Sequence, residues 1–427
     1  MTRISTETAE PGGGPTAAPA AVRLLNVDAL RGFALLGILT VNIWAFADPY
    51  YAQPAGNPAH DSPLDHAVRF VATLFFETKF YLLFSFLFGY SFTLQMAAAE
   101  RSSTAFRPRM LRRQAGLLAL GLPHGALLFH GEILTLYALL GLILLACRGI
   151  SPRRAVRTAI ALITVSGTLW LLLGLAVLAE GGTQAGPGSA PAEKLAAFTG
   201  DAGATAAYHA GHFPETFGLL ALIQGASSLA MFLLGFAAGR VRLFAEPDAY
   251  RPLLRRLLVA GLPTGLAGAV FYAWAAVHRP GSAVEIVAFG AGQLTAPLLT
   301  ASYVVLGLAL FRTAGGGAVE RALAPLGKVA LSAYLLQSIT LGALFTGYGL
   351  GLVDRLSPLA VLGVVPVVFL AQLVLARWWL RRHRYGPGEW LLRAVTVAGV
   401  PPWREPPGGP APGPGKGAGR GARHRAG

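Results

Sequence analysis

Apolar residues run on for long stretches in this chain, and polar ones collect in the gaps between them. Ten stretches, 30–46, 80–99, 111–129, 133–146, 155–179, 217–238, 254–277, 286–311, 325–345 and 359–380, approach the roughly 20 residues that a helix needs to cross a bilayer core. The pattern predicts an all-α fold, a polytopic transmembrane helical bundle of about ten spans. Between the first two spans, Val68, Val71, Leu74 and Phe75 recur at helical spacing while Arg69 and Thr73 point elsewhere, which predicts a short helix at the membrane interface. The gap from 180 to 215 is mostly small and polar and reads as a loose loop. Two segments, "FLFGYSF" from Phe86 and "FLLGFAAG" from Phe232, form a brief echo in spans that run the same way. The expected organisation is a disordered segment 1–22, a membrane domain 23–396 and a disordered, basic, Pro/Gly-rich tail 397–427. Residues 1–22 lack the apolar stretch of a signal peptide, so the first span is expected to direct insertion itself.

Composition agrees: 54% of residues are hydrophobic and 13% charged, against roughly a quarter charged in soluble domains. The formal charge of +15 raises the question of a nucleic-acid partner. The placement of the bases excludes it. Arg101 to Arg113, Arg148 to Arg157, Arg240 to Arg256, Arg312 to Lys328 and Arg377 to Arg425 gather in alternate gaps, while Asp48, Asp61, Asp65, Glu180, Glu193, Asp201, Glu215 and Asp354 gather in the others. That alternation is the positive-inside rule, and it puts both termini in the cytoplasm. Trp378 and Trp379 beside Arg381 and Arg382 mark the inner headgroup level of the last span. Cys147 is the single cysteine, which excludes an intramolecular disulfide; at an inner helix end it is expected to pack. Metal-ligand spacings, a P-loop, a dinucleotide fingerprint and a nucleophile elbow are all missing.

Ionisable groups inside apolar spans are costly and usually face a partner or a watery cavity. In "NVDALRGFALLGILTVN", Asp28 and Arg31 stand three apart on one helix face. They either pair to anchor the span or leave Arg31 to hold a phosphate or carboxylate in its planar fork. In "GLPHGALLFHGEILTLYALLG", length is the clue. The 34 positions from Gln114 to Cys147 make about 51 Å of helix, barely two crossings of a roughly 30 Å core. The turn at His130, Gly131 and Glu132 should therefore sit below the outer surface, with Pro123 loosening the helix before His124. Non-helical backbone at that depth needs protein cover or a water-filled cavity. His124, eleven residues beyond Arg113, and Asn42, eleven beyond Arg31, should lie at similar heights. A carboxylate such as Glu132 can orient or charge an imidazole, which makes His124 a candidate general base; a structural hydrogen bond is the alternative for His124 and for His130. Tyr334, Gln337 and Ser338 share a face and either join helices or line a polar cavity. Glu77 and Lys79 are close enough in sequence to pair.

Five stretches in order, "RLLNVDALRGFALLGILTVNI", "ETKFYLLFSFLFGYSF", "GLPHGALLFHGEILTLYALLG", "PLGKVALSAYLLQS" and "RYGPGEWLLR", resemble the YeiB-like family of bacterial inner-membrane proteins, which share domain of unknown function 418. The resemblance spans nearly all of 23–393. In its first span that family is similar to membrane acyltransferases, which pass an acyl group from cytoplasmic acyl-CoA to a sugar or lipid-linked acceptor on the far side with a histidine proposed as catalytic. Many sugar acylases have that histidine about eleven residues after the first-span arginine, where this chain has Asn42, and an amide cannot act as a base. In the related lysosomal enzyme a histidine of the outer segment takes its place, which would make His60 or His66 candidates. The sunken His/Glu turn, taken with the first-span resemblance, makes an acyltransferase-like protein the leading expectation: His124 and Glu132 catalytic, Asp28, Arg31, Asn42, His130, Tyr334 and Gln337 around the substrates, acyl-CoA as the co-substrate that the resemblance implies, and no metal or tightly bound cofactor. A transporter or exporter of a small polar or lipid-linked metabolite is the rival reading, and a scaffold without a ligand the third. Membrane lipid is the expected surrounding partner.

Overall fold

The computed structural model describes residues 24–51, 53, 56–182 and 190–404. The described chain is helical throughout, with no strand among the described residues. Fifteen α-helices follow in order: α1 (Leu25–Ala47), α2 (Pro63–Phe75), α3 (Lys79–Arg101), α4 (Phe106–Leu127), α5 (Leu134–Ala146), α6 (Pro152–Ala179), α7 (Ala190–Thr199), α8 (Ala202–Arg240), α9 (Arg251–Arg256), α10 (Leu262–His278), α11 (Ala283–Phe311), α12 (Gly316–Lys328), α13 (Ala330–Phe345), α14 (Pro358–Trp379) and α15 (Pro387–Val397). A π-helical turn, Leu257–Gly261, joins α9 to α10.

All ten apolar stretches lie on helices, so the bundle is as expected. Among the described residues seven helical stretches are long and apolar enough to cross a membrane by themselves; α12 and α13 qualify only together, bent by 79° at Val329, which makes eight. The hairpin of α4 and α5 accounts for the difference from ten. Arg107, Arg109, Arg112 and Arg113 occupy the first turns of α4, and α5 has only 13 residues, or about 20 Å. The expected loop at 180–215 is largely helix where it is described. Its alanines favour helix, the Asp201 side chain caps α8 by accepting from the Ala204 N–H at 2.8 Å, and Phe198 is fully buried between Phe46, Tyr208 and His209.

The interfacial helix α2 begins with a reciprocal capping box between Ser62 and Asp65. Its faces differ from the expected ones: Val71 and Phe75 point outward, Thr73 is buried, and Arg69 turns inward to pair with Asp48 over the Trp44 ring. Cys147 is exposed rather than packed. Lys79 is buried and donates to the Thr73 carbonyl at 2.9 Å; among the described residues it forms no ion pair with Glu77. The segment 1–22 lies outside the described residues. So does the tail from 405, but its expected start is packed chain: Trp403 stacks edge-on against Trp379 and Trp390, and Arg384 N–H donates to its carbonyl.

Glycines set the helix crossings. A Cβ on Gly89 of α3 would collide with the Phe232 carbonyl of α8, and one on Gly235 of α8 with the Phe86 carbonyl of α3. The two halves of the brief sequence echo are thus packed on each other. Gly32 and Gly327 do the same for α1 and α12, against the carbonyls of Leu323 and Asp28. Small residues let membrane helices approach to backbone contact where lipid gives no hydrophobic drive.

Candidate functional site

A cavity of about 420 Å³ opens among α1, α3, α4, α5, α12, α13 and α15. It runs from Ala98, Phe106 and Thr396, at the end of the bundle that carries the basic gaps, to Ile133, Leu134 and Tyr334 deep inside. Among the described residues five cations line it, Arg31, Arg109, Arg113, Lys328 and Arg393, with one carboxylate, Glu389. Arg31 is held on both sides: Nη1 donates to Asp28 at 2.9 Å and Nη2 to Ser91 Oγ. Among the described residues Arg109, Arg113 and Arg393 pair with no carboxylate, and the Arg113 Nε is buried with no acceptor.

Glu389 offsets only part of that charge: it acts on Arg113 through space, and its oxygens are directed to the bend rather than into an ion pair. Its Oε1 accepts from the Leu331 N–H at 2.6 Å and the Ser332 N–H at 3.2 Å, and its Oε2 from the Ser332 hydroxyl at 2.5 Å. It thereby caps the free N-terminus of α13, where orphan amides and the helix dipole favour an anion. Burial pushes its carboxyl above the usual range. The cavity wall is left with an excess of positive charge, which favours an anionic ligand.

His124 lies just past the inner end. Its ring centre is 5.2 Å from that of the cavity residue Tyr334, and its Nε2 is 2.9 Å from Ser338 Oγ, one helical turn further along α13. Both His124 and Ser338 are buried, and His124 Nδ1 has no partner among the described residues. Glu132 is fully buried, but it does not bond the imidazole, contrary to the expectation that it would orient or charge His124. It caps α5 instead, accepting from the Leu134 N–H and, at 2.9 Å, from the Thr135 N–H. A carboxylate two and three residues before free amides meets them more directly than it meets a ring on another helix.

The other expected positions divide. Arg31 and Tyr334 line the cavity, and Asp28 holds Arg31. Gln337 joins helices, donating to the Leu35 carbonyl at 3.2 Å and to Gln372 at 3.0 Å. Asn42 is half-buried on α1 away from the cavity lining, with no side-chain hydrogen bond among the described residues. His130 belongs to a separate cluster at the opposite end, with Nδ1 2.9 Å from Nδ1 of His209 and its ring near His212. His66 pairs with Asp61 at 2.8 Å, and neither it nor His60 touches the cavity. Sequence reasoning missed Ser338 as the partner of His124, and missed Glu389 and Arg393. The acid in "RYGPGEWLLR", alone in a basic stretch, was the available signal for Glu389.

The architecture is that of a polytopic membrane protein with an arginine-lined cavity at one end and a buried histidine beyond its floor. The family model described as "Protein of unknown function (DUF418)" matches residues 238–399. The chain is 32% identical over 406 residues to "Uncharacterized protein YxaH" of Bacillus subtilis (strain 168), covering 89% of this chain and 96% of the relative. It is 29% identical over 398 residues to "Uncharacterized protein YeiB" of Escherichia coli (strain K12), covering 89% and 98% respectively. The chain belongs to this YeiB-like DUF418 family. No solved structure matches it.

Proposed function

We propose that the protein is an acyltransferase of the bacterial cytoplasmic membrane, taking its acyl group from a phosphate-bearing thioester such as acyl-CoA that enters at the basic end. The observation that carries this reading is the cavity itself, with Arg109, Arg113 and Arg393, which pair with no carboxylate among the described residues, on its wall and Tyr334, in contact with His124, at its floor. Arg109, Arg113 and Arg393 would hold the donor's phosphates, since a guanidinium matches phosphate geometry, while Ile38, Phe84 and Leu117 border its uncharged arm. In the transfer, an acceptor hydroxyl or amine attacks the thioester carbonyl, the C–S bond breaks, and the thiolate leaves with a proton. His124 would take the acceptor's proton on Nδ1 while Ser338 holds the ring through Nε2. The role of Glu132 is to position the α4–α5 hairpin; it does not charge the histidine.

Thermal unfolding of the detergent-solubilised chain with coenzyme A, acetyl-CoA and longer acyl-CoAs tests the donor site. A ligand at 100 times its Kd stabilises by about 2.7 kcal/mol. The expected result is a shift with acyl-CoA that Arg113→Gln removes, followed by loss of radiolabelled transfer in His124→Ala. The absence of any shift in folded wild type would overturn the donor assignment.

Transport of an anionic metabolite is the second reading, favoured by the broken span α12–α13 beside the cavity. Against it, the α13 N-terminus that would face a substrate is already occupied by Glu389. Accumulation in vesicles driven by a proton gradient, without a covalent product, would support transport.

A further inference from the structure

A second cavity, of about 380 Å³, lies on the other side of the same wall, between α13, α14 and the turn into α15. Its lining is apolar apart from Ser332, Gln372 and the indole N–H groups of Trp378 and Trp379 at one end; Ser332 and Gln372 are already satisfied within the protein. Ser332 Oγ donates to Glu389 at 2.5 Å and accepts from the Gly388 N–H at 2.9 Å. Gln372 accepts from Gln337 at 3.0 Å and donates to the Ala333 carbonyl at 3.1 Å. A polar occupant would find no free group on Ser332 or Gln372, and only the Trp378 indole N–H at the rim.

The groove also faces the lipid. Its rim residues Ile339, Leu375 and Trp378 are among the exposed hydrophobics, and α14 continues that apolar face through Val367, Leu370 and Val374. At one end it stops at Trp378, Trp379, Gly386 and Pro387, where the chain leaves the span. The Arg382 guanidinium sits 6.0 Å from the ring of the rim residue Trp378. Arg377 and Arg381 are exposed beside it, and among the described residues none of the three pairs with a carboxylate. A groove that takes only hydrocarbon, ending at a tryptophan belt with unpaired arginines at headgroup level, has the chemistry of one kind of molecule.

We infer that this groove binds an anionic phospholipid, one acyl chain lying between α13 and α14 and the headgroup phosphate on Arg381 and Arg382. The site is separate from the arginine-lined cavity and does not rest on the acyltransferase reading. Its apolar lining selects the chain, and the arginines select the charge.

Native mass spectrometry of the delipidated full-length chain, incubated with phosphatidylglycerol or phosphatidylcholine of equal chain length, tests it. The expected result is one retained phosphatidylglycerol, favoured at least five-fold over phosphatidylcholine. Arg381→Gln with Arg382→Gln should reduce that preference below two-fold while weak retention of both lipids persists. Leu336→Trp, which fills the groove from its rim, should abolish retention of both. Phosphatidylglycerol carrying a diazirine at its chain end, photolysed on wild type, should label Leu336, Ile339 or Leu375, a readout that needs no folded variant. Equal retention of the two lipids, an unchanged preference in the arginine double variant, or labels confined to other faces would overturn the assignment. So would displacement of the lipid by equimolar glycerol 1-phosphate, which would mark a headgroup-only surface, or a dimer that hides the groove from the photoprobe, which would give it to a second copy of the chain.

Discussion

Lys194 shows how burial rather than pairing sets the behaviour of a charged residue here. It lies on α7 at 6% exposure, its Nζ donating to the Asp48 carbonyl at 3.0 Å. Burial and the nearby Arg69 charge lower its ammonium to about 7, against about 10.4 in an unfolded chain. Between those values the unfolded chain carries a proton that the folded one has released, so stability rises with pH across that window and is lowest below it. The thermal midpoint is expected to climb from pH 7 to pH 9 by the equivalent of about 2 kcal/mol. Lys194→Met should flatten the climb, and an unchanged slope in that variant would remove Lys194 as its source. The same scale shows what was legible in the sequence. His124 was, because an imidazole in an apolar run needs a reason to be there. Its bond to Ser338 was not, because the two are 214 residues apart. Glu132 misled because proximity along the chain favoured the histidine, while the nearest free amides, at Leu134 and Thr135, took the carboxylate.

At the level of the helices, the reciprocal crossing of α3 and α8 makes a sharp expectation. Gly89→Val places two methyl groups where the Phe232 carbonyl already lies, and overpacking of this kind costs about 1–3 kcal/mol even where neighbours can yield. A carbonyl held in a helix yields less than a side chain. The variant should show a thermal midpoint well below wild type, whereas Gly363→Val, at a glycine with open space around it, should not; equal midpoints would mean that the crossing tolerates expansion. Most helices could be read from apolar length alone. The bend between α12 and α13 could not, for the one proline nearby, Pro325, stands inside α12 and the break falls at Val329. Its cause is tertiary: Glu389 of α15 supplies the acceptors that a continuous helix would have supplied to Leu331 and Ser332. Helix α7 escaped reading for the opposite reason, since its small residues carry little periodic signal until Phe198 finds its pocket.

For the whole molecule, the alternation of charge predicts which way the bundle sits. Cys147 is exposed at the C-terminal end of α5, among the basic gaps, and Asp61 is exposed among the acidic ones. A membrane-impermeant maleimide should leave Cys147 unlabelled in intact cells and label it once they are permeabilised. In a Cys147→Ser background, Asp61→Cys should label without permeabilisation. The reverse pattern would invert the orientation and turn the arginine-lined cavity away from cytoplasmic donors. The charge alternation needed only the sequence, but the cavity it orients did not emerge until α15 was seen to fold back beneath α4 and α13.

The glycine contact between α1 and α12 also has a consequence in time. Gly32 and Leu323, which touch across it, are made about 290 residues apart, or some 15–60 s at a ribosomal rate of roughly 5–20 residues per second. Throughout that interval the first helix waits in the bilayer without its closest neighbour. A nascent chain that stalls before α12 therefore displays an unmated glycine face and an Asp28 that the finished bundle buries.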